Sequence, residues 1–268
     1  MPYILPPDEV PLYYEEAGQG KNILLIHGGA ANTNFWKKQI PELSRHFRVV
    51  AYDLRGHGSS GKIDEGNNLT QYGQDMAHLL KALDMNDVVV VGWSLGTAVL
   101  FSYVRQFGLE RLAGFVDIDQ PAKRFVPEER FRELISGIRS HKFRTHRERI
   151  LSFFSAPPPE EELYWMTCEM MKTPTGVYIS IIQDSYETDF EPVLSQVTIP
   201  TLNCIPDKNP SDPELAKSMP NARTVVFENS GHLLFWEHPE KFNRLLTDFV
   251  EEVTGQPAGA GVAGKSGA

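Results

Sequence analysis

The chain has 268 residues, 41% of them hydrophobic, enough to bury the core of a single α/β unit carrying an insertion, so a second domain is unneeded. Its formal net charge of −9 argues against a nucleic-acid or anionic-membrane partner, and no apolar run is long enough to span a bilayer. The amino end lacks the basic and apolar regions of a secretory leader, which makes the cytoplasm the expected compartment. Cys168 and Cys204 stand far apart without ligand spacing, so neither a disulfide framework nor a metal site is expected.

In chain order, short apolar runs alternate with longer helical stretches, the pattern of βα units that build a parallel sheet. Strands are predicted at 12–16, 23–26, 48–52, 88–91, 112–118, 202–205 and 224–227. Helices are predicted at 35–44, 70–83, 94–107, 213–218 and 239–253, the last two opening on a proline at a first-turn position. Residues 121–195 break the alternation. They are charged, aromatic and methionine-bearing, carry Pro157-Pro158-Pro159, and read as a helical cap over the carboxyl edge of a core formed by 1–120 and 196–254. The Gly/Ala-rich stretch 255–268 reads as a flexible tail.

The most informative stretch is Val88-Val89-Val90-Val91-Gly92-Trp93-Ser94-Leu95-Gly96, a buried-strand run that breaks at a G-x-S-x-G pentapeptide and restarts as a helix. Such an elbow holds its serine under backbone strain with the hydroxyl presented to a base, and side chains at Gly92 or Gly96 would clash with the crossing strand and helix. Upstream, His27-Gly28-Gly29-Ala30 follows a strand as a turn of small residues. The amide of Gly29, or alternatively Ala30, can pair with that of Leu95 as an oxyanion hole. Asp53-Leu54-Arg55-Gly56-His57-Gly58-Ser59-Ser60 reads as a structural loop in which Asp53 and Arg55 can pair. Near the carboxyl end, Ser230-Gly231-His232 places a histidine on the loop after the last strand, where it can act as general base.

Together, His27-Gly28-Gly29, the loop from Asp53 to Ser60, the elbow and Gly231-His232 resemble the α/β-hydrolase fold superfamily over residues 10–253, with the cap matching least. Within that superfamily the chain resembles small bacterial serine esterases and lactonases whose triad acid follows the strand after the nucleophile helix. The resemblance implies an eight-stranded, mostly parallel sheet flanked by helices, and a serine hydrolase mechanism without cofactor or metal. The same fold hosts haloperoxidases, cofactor-free oxygenases and non-catalytic receptors, so fold alone does not give substrate.

The acid is where this chain departs from the commonest pattern. That pattern places an aspartate after the strand that follows the cap, and here Pro200-Thr201-Leu202 leads through Asp207 to an amide, Asn209. An amide can orient an imidazole but cannot compensate the developing imidazolium. Asp119, twenty-five residues after Ser94, resembles the acid of branches that carry it earlier; Asp207 is the alternative, with Asp212 and Asp117 behind it. Asp117, two residues before Asp119 in a strand, also fits a buried hydrogen-bonded carboxyl.

For the substrate pocket, Trp165, Met166 and Met170 of the cap, together with Leu163, Tyr164 and Met171, are expected to form an apolar surface joined by Phe35, Trp36 and Trp93. Packing between cap and sheet is the competing explanation. The basic run 139–149 reads as a solvated helix face rather than a charge filter. The expectation is therefore a hydrolase, monomer or homodimer, that cleaves a small-molecule ester or lactone with Ser94, His232 and Asp119. The alternatives are a cofactor-independent oxygenase or haloperoxidase-like enzyme, or a slow-turnover receptor. Ala30-Ala31-Asn32 lack the extra histidine that the ring-cleaving oxygenases carry at this place.

Overall fold

The computed structural model describes residues 2–123 and 127–255. Eight strands form one sheet in the order β1-β2-β4-β3-β5-β6-β7-β8: β1 (Tyr3–Ile4), β2 (Leu12–Ala17), β3 (Asn22–Ile26), β4 (Arg48–Tyr52), β5 (Val88–Trp93), β6 (Leu112–Ile118), β7 (Thr201–Pro206) and β8 (Ala222–Phe227). β2 pairs antiparallel with β1 and β4, and every pairing from β4 to β8 is parallel. The two-residue β1 escaped sequence reading because so short a strand has no periodicity of its own. Val88 to Val91 are fully buried on both faces, which is why this strand is a continuous apolar run and not an alternating one.

Helices α1 (Ile40–Leu43), α2 (Leu69–Ala82) and α3 (Leu95–Phe107) follow β3, β4 and β5, and α9 (Leu234–Glu237) and α10 (Pro239–Thr254) follow β8. Two predicted helices are shorter than expected. The one at 35–44 divides into a 3₁₀ turn, Thr33–Trp36, and α1, because Pro41 in the first turn starts a new helix. The one at 213–218 contracts to the 3₁₀ turn Leu215–Ser218. Between β6 and β7 lie α4 (Glu128–Ser140), α5 (Lys142–Ser152), α6 (Glu160–Met171), α7 (Thr175–Glu187) and α8 (Glu191–Leu194). No helix among the described residues is long and apolar enough to cross a membrane. Most of the stretch predicted as a tail, from 256 onward, lies outside the described residues.

Candidate active site

Parallel register brings four loops to one edge of the sheet. Ile26 pairs with Gly92, Trp93 with Ile118, Ile118 with Cys204 and Pro206 with Phe227, so the residues after β3, β5, β6 and β8 emerge side by side. Ser94 sits at the turn from β5 to α3 with φ 52° and ψ −117°, a left-handed conformation costing a non-glycine residue on the order of 1–3 kcal/mol. Close packing of the neighbouring chain explains why glycine flanks it. A Cβ on Gly92 would lie 2.5 Å from the Thr97 nitrogen, and one on Gly96 would lie 2.2 Å from the Ile26 carbonyl oxygen. Leu95 opens α3, so its N–H has no carbonyl four residues back within the helix to bond. Gly29 and Leu95 both border the cavity that contains Ser94.

His232 reaches the same edge on the loop between β8 and α9. Its Nδ1–H donates to Asp119 Oδ2 at 2.7 Å, and Asp119 Oδ1 accepts from the Ser211 amide at 2.7 Å. Asp119 is 2% exposed and its φ is 52°, so the chain turns sharply at the end of β6 and aims the carboxylate sideways. The imidazole is packed between Phe153, with ring centroids 4.7 Å apart, and Trp93, at 5.7 Å, while Trp93 Nε1 donates to the His232 carbonyl.

The other carboxylates left open by the sequence take different positions. Asp207 accepts from the amides of Asn229 and Ser230, at 3.0 and 3.2 Å, so it holds the loop that carries His232 and leaves the imidazole to Asp119; those bonds keep its carboxyl below the ordinary range. Asp212 accepts from the Glu214 amide in its own turn. Asp117 is fully buried and takes no part in the edge. The Thr97 hydroxyl lies 2.7 Å from both the Gly92 carbonyl and Asp117 Oδ1 but has only one proton to give. Both contacts are satisfied when Asp117 is protonated and donates to Thr97, in keeping with burial, which pushes its carboxyl well above the ordinary range.

One carboxylate at the site was not anticipated. Glu237 in α9 accepts from the Gly231 amide at 2.7 Å and from the amide and hydroxyl of Ser155, joining the histidine loop to the loop that follows α5. The spacing Gly231 to Glu237, a loop amide facing the first turn of a helix, was the available signal. The expected pair Asp53–Arg55 does not form. Asp53 accepts from the amides of Thr33 and Ser59, and Arg55 donates two hydrogen bonds to the Asp75 carboxylate, at 2.9 and 2.7 Å, and contacts Asp8 at 2.6 Å. His27 is also spoken for: Nδ1–H donates to the Gly28 carbonyl and Nε2 accepts from the Leu54 amide, and burial lowers its pKa to about 4.

The predicted apolar pocket residues lie elsewhere. The cavity next to Ser94 has a volume of about 230 Å³ and is walled by α4, α5 and α7: Arg130, Phe131 and Leu134; Arg149; and Tyr178, Ile182, Ser185 and Tyr186. Phe35, Trp36, Trp93, Trp165, Met166 and Met170 are outside this lining. Phe35 and Trp36 are fully buried, Met166, Met170 and Trp93 nearly so, and Trp165 stacks on Trp236 at 5.6 Å beneath the Lys37 ammonium. Large apolar side chains were drawn into a packed aromatic layer, where Phe35–Trp93 and Trp93–Phe235 centroids lie 5.6 and 5.3 Å apart, because burial there removes their whole surface from water. The residues that do line the cavity had a signal in α7, where positions 178, 182, 185 and 186 recur at helical spacing. Within the basic run, Arg144 and Arg147 are surface residues near Glu148 and Glu160, but Arg149 faces the cavity. Among the described residues, no cluster of three or more His, Cys, Asp or Glu side chains is arranged to hold a metal.

The profile of the alpha/beta hydrolase fold family matches residues 21–239, and the chain belongs to that family. It is 30% identical over 277 positions to the non-heme chloroperoxidase CPO-A1 of Kitasatospora aureofaciens, an alignment covering 94% of this chain and 100% of that one. Among solved structures, a thermophilic esterase from Thermogutta terrifontis with malate bound superposes with a TM-score of 0.82 at 26% identity, covering 94% of this chain and 97% of the other. An esterase from Exiguobacterium antarcticum superposes at 0.89 with 22% identity, covering 93% and 98% of the two chains, and shares the fold.

Proposed function

We propose that the protein is a serine hydrolase that cleaves small carboxylic esters or lactones through an acyl-enzyme on Ser94. The observation that carries this reading is the 2.7 Å contact from His232 Nδ1 to Asp119 at the sheet edge that also presents the strained Ser94 elbow. Ser94 Oγ attacks the carbonyl carbon while His232 Nε2 takes its proton, and Asp119 compensates the imidazolium that forms. The amides of Gly29 and Leu95 hold the carbonyl oxygen as it becomes an oxyanion. Collapse expels the alkoxide, which receives the proton from His232. Water then repeats the sequence on the acyl-enzyme, releasing the acid and the free serine. Helices α4 to α8 serve in this reading as a cap that forms the acyl pocket. The similarity to esterases of the same fold supports the hydrolytic reading.

The similarity to CPO-A1 favours a second reading on the same residues. If hydrogen peroxide replaces water at the acyl-enzyme, the products are a peroxyacid and free serine, and the peroxyacid then oxidises halide. A panel of p-nitrophenyl esters and lactones, run beside bromide with peroxide and acetate, separates the two. A serine-directed phosphonate should label Ser94, and Ser94→Ala should retain the fold while kcat falls on the order of 10⁶-fold, the loss expected when a triad nucleophile is removed. Ester turnover that survives in folded Ser94→Ala protein would falsify the serine mechanism.

A further inference from the structure

The cavity beside Ser94 is bordered by residues whose buried polar atoms find no partner among the described residues. Tyr178 is fully buried and Ser185 is 6% exposed, yet neither hydroxyl has a hydrogen-bond partner among the described residues, and the same holds for the buried Tyr186 hydroxyl and Arg149 Nε. Buried polar atoms are ordinarily paired, because an unpaired one loses its hydration without compensation, so four beside one cavity are unusual unless something else meets them. Charge narrows what that is. Arg130 and Arg149 both border the cavity, neither forms an ion pair among the described residues, and no Asp or Glu stands in the lining. His146, buried against Tyr178 with ring centroids 5.2 Å apart, is held neutral by burial, its pKa lowered to about 3, and adds no further positive charge. Arg149 is also fixed in place: its guanidinium carbon lies 5.3 Å from the Phe153 ring, the ring that packs against His232.

Resting on the hydrolase reading above, we infer that the site takes a compact ester or lactone bearing a second carboxylate. That carboxylate sits between Arg130 and Arg149 and accepts from the hydroxyls of Tyr178, Ser185 and Tyr186. A neutral polyol could use the hydroxyls, but it would leave the half-buried Arg149 guanidinium at the cavity without an anion. A carboxylate supplies the missing charge and the missing acceptors together. With about 230 Å³ available, the anion must be carried on a short chain.

The test is a matched pair of substrates, monomethyl succinate and methyl levulinate, which exchange a carboxylate for an acetyl group of nearly the same shape. Wild-type kcat/KM for the anion should exceed that for the ketone by about tenfold or more, and the ratio should shrink as salt is raised. Arg149→Met should bring the ratio to about parity, and Arg130→Gln, at an exposed position where folding is not at issue, should reduce it by a smaller factor. Succinate titrated into Ser94→Ala protein should bind, and at least about tenfold more weakly when Arg149→Met is added. Ester turnover with a ratio at or below parity in wild type, or a ratio that neither arginine variant changes, overturns the inference and leaves the hydrolase reading intact. Arginine-dependent succinate binding without ester turnover removes the hydrolase reading and keeps the anion site; neither turnover nor binding removes both.

Discussion

The sheet edge and the helical wall that faces it are built on opposite plans. At the edge, polar groups answer one another within the chain: Asp119 takes His232 and Ser211, Asp207 takes Asn229 and Ser230, and Glu237 takes Gly231 and Ser155. On the wall, the hydroxyls of Tyr178, Ser185 and Tyr186 and Arg149 Nε find no partner among the described residues. An internally satisfied network fixes geometry, which is what a reacting centre needs, because small misplacements cost large factors in rate. An unsatisfied lining holds its interactions for a molecule that comes from outside. The two regions are made differently because one must hold still and the other must receive.

The largest expected effect is at the edge. Asp119→Asn should lower kcat by about 10⁴ while the protein keeps its fold, since an amide beside His232 can stabilise the wrong tautomer and leaves the imidazolium uncompensated. Near-normal turnover in that variant, alongside an inactive Asp207→Asn, would move the acid to the other strand. Asp207→Asn itself should cost much less, on the order of tenfold in kcat/KM, because it loosens the loop without touching the imidazole. Measuring both variants with the same ester ranks the two carboxylates directly.

The smallest effect concerns stability and acid. Burial lowers His27 to about 4, His57 to about 3 and His146 to about 3, against 6.5 for a free imidazole. Between about pH 6.5 and 4 the unfolded chain therefore binds protons at three histidines that the folded chain leaves neutral, and stability falls as pH is lowered through this window. Asp117 and Asp53 work in the other direction, since burial raises both carboxyls and the folded state keeps protons that the unfolded chain releases. Three sites outweigh two once the histidines of the unfolded chain are protonated, so Tm should decline from about pH 6 to 4.5 in calorimetric scans. A flat or rising Tm would mean that these histidines are charged in the fold.

Legibility in the sequence differed between the same two regions. The elbow was visible because local sterics dictate it: the Ile26 carbonyl oxygen and the Thr97 nitrogen leave no room for a Cβ at Gly96 or Gly92. The alternation of runs was enough for the parallel sheet, because strands buried on both faces must be apolar throughout. Asp119 and Asp207 both stood at strand ends in the sequence. Which of them faces His232 depends on the left-handed turn at Asp119 and on the reach of the loop from β8, and neither is a local property. The wall was least legible. Phe35, Trp36, Met166 and Met170 are as apolar as Phe131, Leu134 and Ile182, which do line the cavity, and only the docking of α4, α5 and α7 separates the two sets.

The sequence by itself determined the strand–turn–helix at Ser94, the order of the sheet's apolar runs and the place of His232 on a loop after the last strand, because each is set by steric or periodic constraints within a few residues. The tertiary structure alone decided which carboxylate meets the imidazole, that Arg55 pairs with Asp75 and not Asp53, and that Arg149 borders the cavity beside Ser94. Those outcomes turn on distances between segments far apart in the chain. Long-range packing sets such distances, and no local pattern encodes them.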